Sequence, residues 1–236
     1  MILKDWEQLP EELKTEEVRY YYDILNKKKR SLYLKRIFDV SAAAVLLLFL
    51  SPVFVILAIM IALDSPGGVF FRQVRVTAYG QKFKIYKFRT MQANAEKIGS
   101  QVTVGNDARI TRAGAFLRKT RLDELPQLIN VLNGTMSFVG TRPEVPKYVN
   151  HYTNEMKATL LLPAGITSEA SIRYKKEAEL LEGATDVDST YINVILPDKM
   201  KYNLMAIEKF SFFGEILTMF RTVFAVLGKD YDENKR

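Results

Sequence analysis

The chain of 236 residues contains no cysteine and a single histidine, His151. Without thiols there is no disulfide framework and no thiolate metal site, and one imidazole is too few for most His-based metal centres and catalytic devices. Chemistry must therefore rest on carboxylates, Lys, Arg, hydroxyls, or a metal held by oxygen ligands. Acidic charge is in the minority: 34 Lys and Arg against 27 Asp and Glu give a formal charge of +7. That balance suits an anionic partner, whether nucleic acid, acidic lipid or a phosphorylated small molecule. The length fits one good-sized domain with an additional segment, and neither an internal repeat nor a low-complexity linker is visible.

Charge is missing altogether between Val40 and Leu63, which reads VSAAAVLLLFLSPVFVILAIMIAL. A straight helix of this length reaches roughly 36 Å, enough to cross a bilayer core of about 30 Å. Lys27, Lys28, Lys29, Arg30, Lys35 and Arg36 stand just before it, the arrangement of a membrane anchor with a cytoplasmic basic flank. The run begins about forty residues into the chain and lacks a small-residue cleavage pattern, so a cleaved signal peptide is not expected. Ser51-Pro52 stands at its centre. Proline removes one helix N–H and disfavours helical geometry in the preceding residue, so a break or sharp kink is expected there. The freed carbonyls need donors, and the hydroxyls of Ser51 or Ser41 could supply them. A kinked helix that spans and a helix pair that enters and leaves by one face both satisfy this pattern.

Elsewhere the patterning is mixed. Residues 1–26 carry Leu3, Trp6, Leu9, Leu13, Val18, Tyr21 and Tyr22 as a loose helical stripe, which predicts a surface helix or two. After the turn cluster Asp64-Ser65-Pro66-Gly67-Gly68, strand-like runs at Val69 to Val76 and Lys82 to Phe88 flank Ala78-Tyr79-Gly80-Gln81, the pattern of a hairpin. Helical patterns follow at Arg112 to Leu132, Val145 to Leu161 and Glu177 to Leu181, before a long amphipathic element at Phe210 to Leu227. Its apolar face holds Phe213, Ile216, Leu217, Phe220, Val223, Phe224 and Leu227, opposite Glu215, Thr218, Arg221 and Thr222. Core packing is the first expectation for that face, with the membrane interface as the alternative.

The chemistry-bearing candidate is Arg118-Lys119-Thr120-Arg121-Leu122-Asp123-Glu124-Leu125-Pro126-Gln127. Two adjacent carboxylates lie among cations, and Pro126 marks a nearby helix start. Unpaired N–H groups and cations favour a diphosphate there, with one carboxylate attacking phosphorus and its neighbour holding a divalent cation or moving a proton. Thr120 with Asp123 equally fits a capping box, which would make the acids structural. Two further concentrations are basic: Arg72 and Arg75 with Lys82, Lys84, Lys87 and Arg89 on the hairpin, and Arg142 in Met136-Ser137-Phe138-Val139-Gly140-Thr141-Arg142-Pro143. A solvated charged face is the ordinary reading of the first, with single-stranded nucleic acid a formal competitor because Phe83, Tyr86 and Phe88 interleave.

The ordered set is far more specific than its members. Lys35-Arg36-Ile37-Phe38-Asp39, a broken apolar run with Ser51-Pro52, FRQVR, FKIYKFRTM, RLDELPQLINVLNG and MSFVGTRP together resemble the monotopic phosphoglycosyl transferases, the bacterial sugar transferases. The likeness covers about Lys35 to Arg142, with a fainter continuation through Leu161 to Thr167 and the terminal amphipathic helix. It implies a mainly α fold with a small β hairpin: a re-entrant membrane helix-break-helix turning at Ser51 and Pro52, and a cytoplasmic globular domain with interfacial amphipathic helices. The chain then divides into an N-terminal helical extension at 1–34, a re-entrant helix at 35–64, a catalytic domain at 65–228 and a charged tail at 229–236. The resemblance further implies transfer of a sugar-1-phosphate from a UDP-sugar to a polyprenyl (undecaprenyl) phosphate at the cytoplasmic face of the bacterial inner membrane. Asp123 and Glu124 would act with Mg²⁺ through a covalent phosphosugar on Asp123, and Arg142 and Pro143 would belong to the uridine diphosphate site. Arg72, Arg75, Lys87, Arg89, Arg118 and Arg121 are carried as substrate-binding candidates. Membrane lipid is an expected partner and nucleic acid is not.

Three positions depart from the family pattern. Thr135 stands where an acid is usual, Thr141 replaces a proline, and Pro163-Ala164-Gly165-Ile166-Thr167-Ser168-Glu169-Ala170 has an inserted alanine and no tryptophan. The first puts a nearby polar or metal-linked contact in question and the last points to an atypical sugar pocket.

Overall fold

The structure is a computed structural model that describes residues 3–93, 95, 107–175, 177–181 and 186–226. The expected tail at 229–236, and Leu227 at the end of the amphipathic element, lie outside the described residues. The fold is mainly helical, with two small sheets and one long apolar helix. Helices α1 (Glu16–Asn26) and α2 (Lys29–Asp64) precede a hairpin of β1 (Phe70–Val76) and β2 (Lys82–Phe88). Then come α3 (Arg112–Thr120), α4 (Gln127–Leu132), β3 (Met136–Val139), α5 (Pro146–Val149) and β4 (Ala164–Thr167). The last helices are α6 (Glu169–Arg173), α7 (Glu177–Leu180), α8 (Val187–Thr190), α9 (Leu196–Glu208) and α10 (Phe212–Val226).

The hairpin falls where the turn chemistry predicts, antiparallel, with Phe70 opposite Phe88 and Val76 opposite Lys82. Strands β3 and β4 form a parallel pair that the sequence pattern did not reveal, because four residues each are too short for a visible alternation. Gly140 and Gly165 make this pairing possible: a Cβ on Gly165 would stand 2.2 Å from the Gly140 nitrogen. The departing segment at 163–170 is thus a strand and helix start, and only part of it reaches the cleft described below.

Helix α2 touches three of the four apolar cores along its 36 residues. Leu32 joins the first core with α1 and α9, Ala43 the second with β2, α4 and both short strands, and Leu57 and Ile61 the fourth with Phe88 and Leu117. The side facing away is bare: only 11 % of its most apolar eighteen-residue window is buried, far below what a core helix shows. The two separate half-helices expected around Ser51-Pro52 are not found, since one helix runs through both residues. The reason is local. Pro52 cannot donate to the Leu48 carbonyl four residues back, and the Ser51 hydroxyl donates to that same oxygen at 2.8 Å.

Half of the basic flank, Lys28, Lys35 and Arg36, is spent on carbonyls of the protein itself. Lys28 donates to the Phe210 carbonyl at 2.6 Å beyond the end of α9, and Arg36 donates to the Val131 and Leu132 carbonyls at the end of α4. Lys35 is buried against Glu215 and the Val139 carbonyl. Residues 3–26 are likewise more than a surface appendage. Leu3, Leu9, Leu13, Val18, Tyr21, Tyr22 and Leu25 are all buried against the hairpin turn and α9.

Helix α10 inverts the first expectation. Phe213 is 80 % exposed and Phe220 60 %, and Leu217, Val223 and Phe224 are exposed beside them. Its polar face is the one turned inward: Glu215 pairs with Lys35, Thr218 and Arg221 donate to Glu169, and Thr222 bonds Thr167 at 2.7 Å. Core packing is excluded for the apolar face because four polar contacts fix the opposite side against the protein.

Candidate active site

Helix α3 starts at Thr111, whose hydroxyl caps the Gly114 N–H, and packs tightly because Gly114 carries no side chain: a Cβ there would lie 2.0 Å from the Thr90 carbonyl oxygen. The close approach brings Arg118 to the Thr90 hydroxyl at 2.9 Å. The helix ends at Arg121, held in the left-handed region at φ 58°, and the reversed chain then forms one tight turn, Leu122–Glu124. Both carboxylates of that turn are buried. The capping box is not formed: the Thr120 hydroxyl donates backwards to the Phe116 and Leu117 carbonyls, and α4 begins without a side-chain cap. The acids are therefore free of the structural role that sequence offered them.

Their surroundings differ sharply. Glu124 accepts from Lys87 at 3.0 Å and from Arg142 at 2.7 Å. Burial works against its charge, but Arg142 and Lys87 outweigh it and hold the carboxyl well below the usual range. Asp123 is buried with its Oδ1 lacking any hydrogen-bond partner among the described residues. Burial pushes its carboxyl up, Lys87 opposes the shift and Glu124 adds to it. Burial also lowers Lys87, against the pull of Glu124. The result is one committed carboxylate beside one uncommitted carboxylate.

The dyad opens on a cleft of about 2000 Å³. Its lining includes apolar side chains, among them Leu46 and Leu50 of α2, Phe138 and Ile166, and polar ones, among them Lys147, Tyr174, Tyr191 and Lys199. Arg72, Arg75, Lys87, Arg89, Arg118, Arg121 and Arg142 line this space with both acids and Pro143, while Lys82 and Lys84 of the hairpin do not, and the lining cations do different things. Arg72 is exposed over the Tyr86 ring at 5.0 Å, and Arg121 reaches the Lys175 carbonyl at 3.4 Å. Arg89 is committed to backbone, donating to the Ser65 carbonyl at 2.6 Å and the Pro66 carbonyl at 2.9 Å at the end of α2. Arg75 is similarly engaged, with the Gln73 side-chain oxygen and the Pro143 carbonyl at 3.0 Å. Ser51 and Pro52 lie away from the cleft lining.

A second charged group escaped the sequence reading. Glu144 accepts from the Tyr191 hydroxyl at 2.6 Å and lies 3.5 Å from Lys199, which also donates to Glu177 at 2.8 Å. Only the nearness of Glu144 to Arg142 could have pointed to it; Tyr191 and Lys199 arrive from about fifty residues downstream with no local signal. Thr135 is at the end of α4, its hydroxyl donating to the Asn133 side chain at 2.9 Å, and it does not line the cleft.

Among the described residues no group of three or more His, Cys, Asp or Glu gathers as a metal site. A hard cation with few protein ligands and a phosphate partner remains compatible with the dyad, because the Asp123 Oδ1 is buried and unpartnered.

Comparison with known proteins matches residues 30–229 to the family described as bacterial sugar transferase. The UDP-N-acetylgalactosamine-undecaprenyl-phosphate N-acetylgalactosaminephosphotransferase of Aeromonas hydrophila is 35 % identical over 198 residues, covering 83 % of this chain and 44 % of its own length. The UDP-glucose:undecaprenyl-phosphate glucose-1-phosphate transferase of Escherichia coli (strain K12) is 37 % identical over 196 residues, 81 % of this chain and 39 % of its own. The chain thus spans less than half the length of these two relatives. A Bacillus subtilis (strain 168) protein is 40 % identical over 159 residues, 67 % of this chain and 87 % of its own length.

Proposed function

The chain belongs to the bacterial sugar transferase family, and from that premise we propose that it moves a sugar-1-phosphate from a UDP-sugar to a polyprenyl (undecaprenyl) phosphate and releases UMP. The observation that carries this reading is the unequal dyad: Asp123 buried with a free oxygen, beside Glu124 gripped by Lys87 and Arg142. A carboxylate oxygen of Asp123 attacks the phosphorus that bears the sugar. The bond from that phosphorus to the bridging oxygen breaks, and UMP leaves with the bridging oxygen and its electron pair. A phosphate oxygen of the lipid acceptor then attacks the same phosphorus and the Asp123 carboxylate departs, leaving a polyprenyl diphospho-sugar. Two steps at one nucleophile let a water-soluble donor and a lipid acceptor use the site in turn. The cleft suits that order, with cations around the dyad and an apolar wall contributed by α2 and α10.

Asp123 would hold Mg²⁺ through its free oxygen, with Glu124 beside it. Bound Mg²⁺ neutralises diphosphate charge and leaves much of its shell to water and phosphate. Arg118 and Arg121, on the rim next to Asp123, reduce the repulsion between carboxylate and diphosphate.

The membrane reading is re-entrant and places the domain on the cytoplasmic face of the bacterial inner membrane. Both ends of α2 pack on the same folded body, Leu32 at one end and Ile61 at the other, which favours one face over a span. The bare apolar sides of α2 and α10 are then covered by lipid.

The test is UMP release from a set of UDP-sugars by membrane-reconstituted protein with and without undecaprenyl phosphate. Release that depends on the acceptor, and covalent sugar-phosphate on Asp123 when the acceptor is withheld, is expected. A folded protein that releases UMP from none of them refutes the reading.

A further inference from the structure

Arg142, the strongest partner of Glu124, sits on a segment with no regular secondary structure between β3 and α5. Its placement therefore depends on how that segment is pinned. Upstream, the Gly140 N–H donates to the Thr167 carbonyl at 3.0 Å and the Thr141 carbonyl accepts from Gly165 at 2.9 Å. Downstream, the Pro143 carbonyl accepts from Arg75 at 3.0 Å and the Glu144 carbonyl accepts from the Val76 N–H at 3.0 Å. The downstream pin contains an electrostatic difficulty: it uses one partly buried guanidinium to hold the neighbour of another. Like charges repel strongly where water is scarce.

Glu144 answers it. Its carboxylate lies 4.0 Å from Arg75 and 3.5 Å from Lys199, and it accepts from the Tyr191 hydroxyl at 2.6 Å. It is 6 % exposed, and its polar partners among the described residues are Tyr191, Arg75 and Lys199 rather than Asp123 or Glu124, so it acts through others. We infer that Glu144, held by Tyr191 and Lys199, is a positioning residue that balances Arg75 and so fixes Arg142 where the donor's diphosphate must meet it. Without that negative charge Arg75 and Lys199 lose their shared counter-ion, and the other carboxylate whose charge acts on Arg75 is Glu124 itself. Arg75 then competes with Arg142 for Glu124, and the Arg142 guanidinium shifts.

The inference rests on the transferase reading above. A misplacement of about 1 Å in a positioned group can cost on the order of 100-fold, so Glu144→Gln should lower kcat/KM for the donor by roughly 10- to 100-fold. The experiment is a double-mutant cycle in the full-length, membrane-reconstituted protein: wild type, Glu144→Gln, Arg142→Lys and the pair, with UMP release as readout and thermal unfolding as a fold control. Because Glu144 acts through Arg142, Glu144→Gln should cost at most about 2-fold in the Arg142→Lys background. An equal loss in both backgrounds overturns the inference, as does an unchanged Glu144→Gln. Should Glu144→Gln fail to fold, Tyr191→Phe keeps both charges and removes one tether; it is read in the same cycle by the same criteria. A silent wild type sinks the transferase reading and this inference with it, whereas an active wild type with additive variants sinks the inference alone.

Discussion

Removing one charge from each of two adjacent acids should move stability in opposite directions. Asp123 is buried with an unpartnered oxygen, and its carboxyl is pushed above the ordinary range chiefly by burial. For an acid whose folded pKa lies above its unfolded value, ionisation subtracts from stability at neutral pH, and the penalty fades as pH falls through the folded pKa. Asp123→Asn removes the charge at nearly constant size, so it should stabilise by about 1 kcal/mol, the usual gain when a strained functional group is neutralised. Glu124 carries the opposite sign. Burial opposes its charge, but Arg142 and Lys87 hold its carboxyl well below the ordinary range, so its contribution is present above the unfolded pKa and lost as pH falls through the folded pKa. Glu124→Gln leaves both cations without their carboxylate. Breaking a buried pair costs about 3–5 kcal/mol, and the lower end applies because the Arg142 side chain remains 32 % exposed. At roughly 2–4 °C per kcal/mol for a chain of this size, Tm should rise by about 2–4 °C for Asp123→Asn and fall by about 6–12 °C for Glu124→Gln. Circular dichroism melts of reconstituted protein at neutral pH, repeated at successively lower pH, give both signs, and the Asp123→Asn gain should shrink as pH falls through the raised Asp123 pKa. A Tm for Asp123→Asn at or below that of Glu124→Gln would show that Asp123 is a paired structural acid, and the nucleophile assignment would fall with it.

The absence of native cysteine makes topology directly measurable: Arg30→Cys and Gly68→Cys should both react with a membrane-impermeant thiol reagent from the same face, and labelling from opposite faces rejects the re-entrant reading. Phe213→Asp with Phe220→Asp should release α10 from the bilayer and weaken vesicle association while far-UV dichroism stays unchanged; undiminished binding would mean that the bare face is not lipid-facing. Stripping divalent cations should abolish UMP release and Mg²⁺ should restore it, whereas full turnover in excess chelator would show that Lys87, Arg118 and Arg142 neutralise the diphosphate unaided.

The elements with local causes were legible in the sequence. The hairpin followed from turn residues between two alternating runs, and the long helix from an uncharged stretch with one proline. The substrate-binding candidates chosen from sequence are brought together by the fold, since each of them lines the cleft. Their division of labour was not legible, because a guanidinium looks the same in sequence whether it faces a phosphate or a carbonyl. Arg89 is the clearest case: its position beside the strand end places it just past the last turn of α2, where the Ser65 and Pro66 carbonyls absorb its donors. Arg75 and Arg36 are spent in the same way on Pro143 and on the end of α4. Glu144 was invisible for a different reason: its partners Tyr191 and Lys199 are brought in by tertiary folding, with no periodic or motif signal.

Helix α10 shows what amphipathic spacing cannot supply. The period assigns Phe213, Phe220 and Phe224 to one face and Glu215, Thr218 and Thr222 to the other, but it carries no information about which face meets the protein. In water the answer is the apolar one, and core packing was the natural expectation. Here the receiving surface decides otherwise, because it offers Lys35, Glu169 and Thr167 rather than an apolar groove. Docking the apolar face there would leave Lys35 buried without Glu215 and Glu169 without its donors, costing several kcal/mol for each uncompensated charge. Docking the polar face satisfies them and leaves the large apolar side chains outward. That arrangement suits a medium that is itself apolar on that side, as the proposed membrane contact would supply, and α2 presents a bare stripe of the same kind, with Leu48 73 % and Phe49 74 % exposed. The two helices are alike for one reason: each has spent its protein-facing side on the fold and left its apolar side outward, where the proposed lipid contact would cover it.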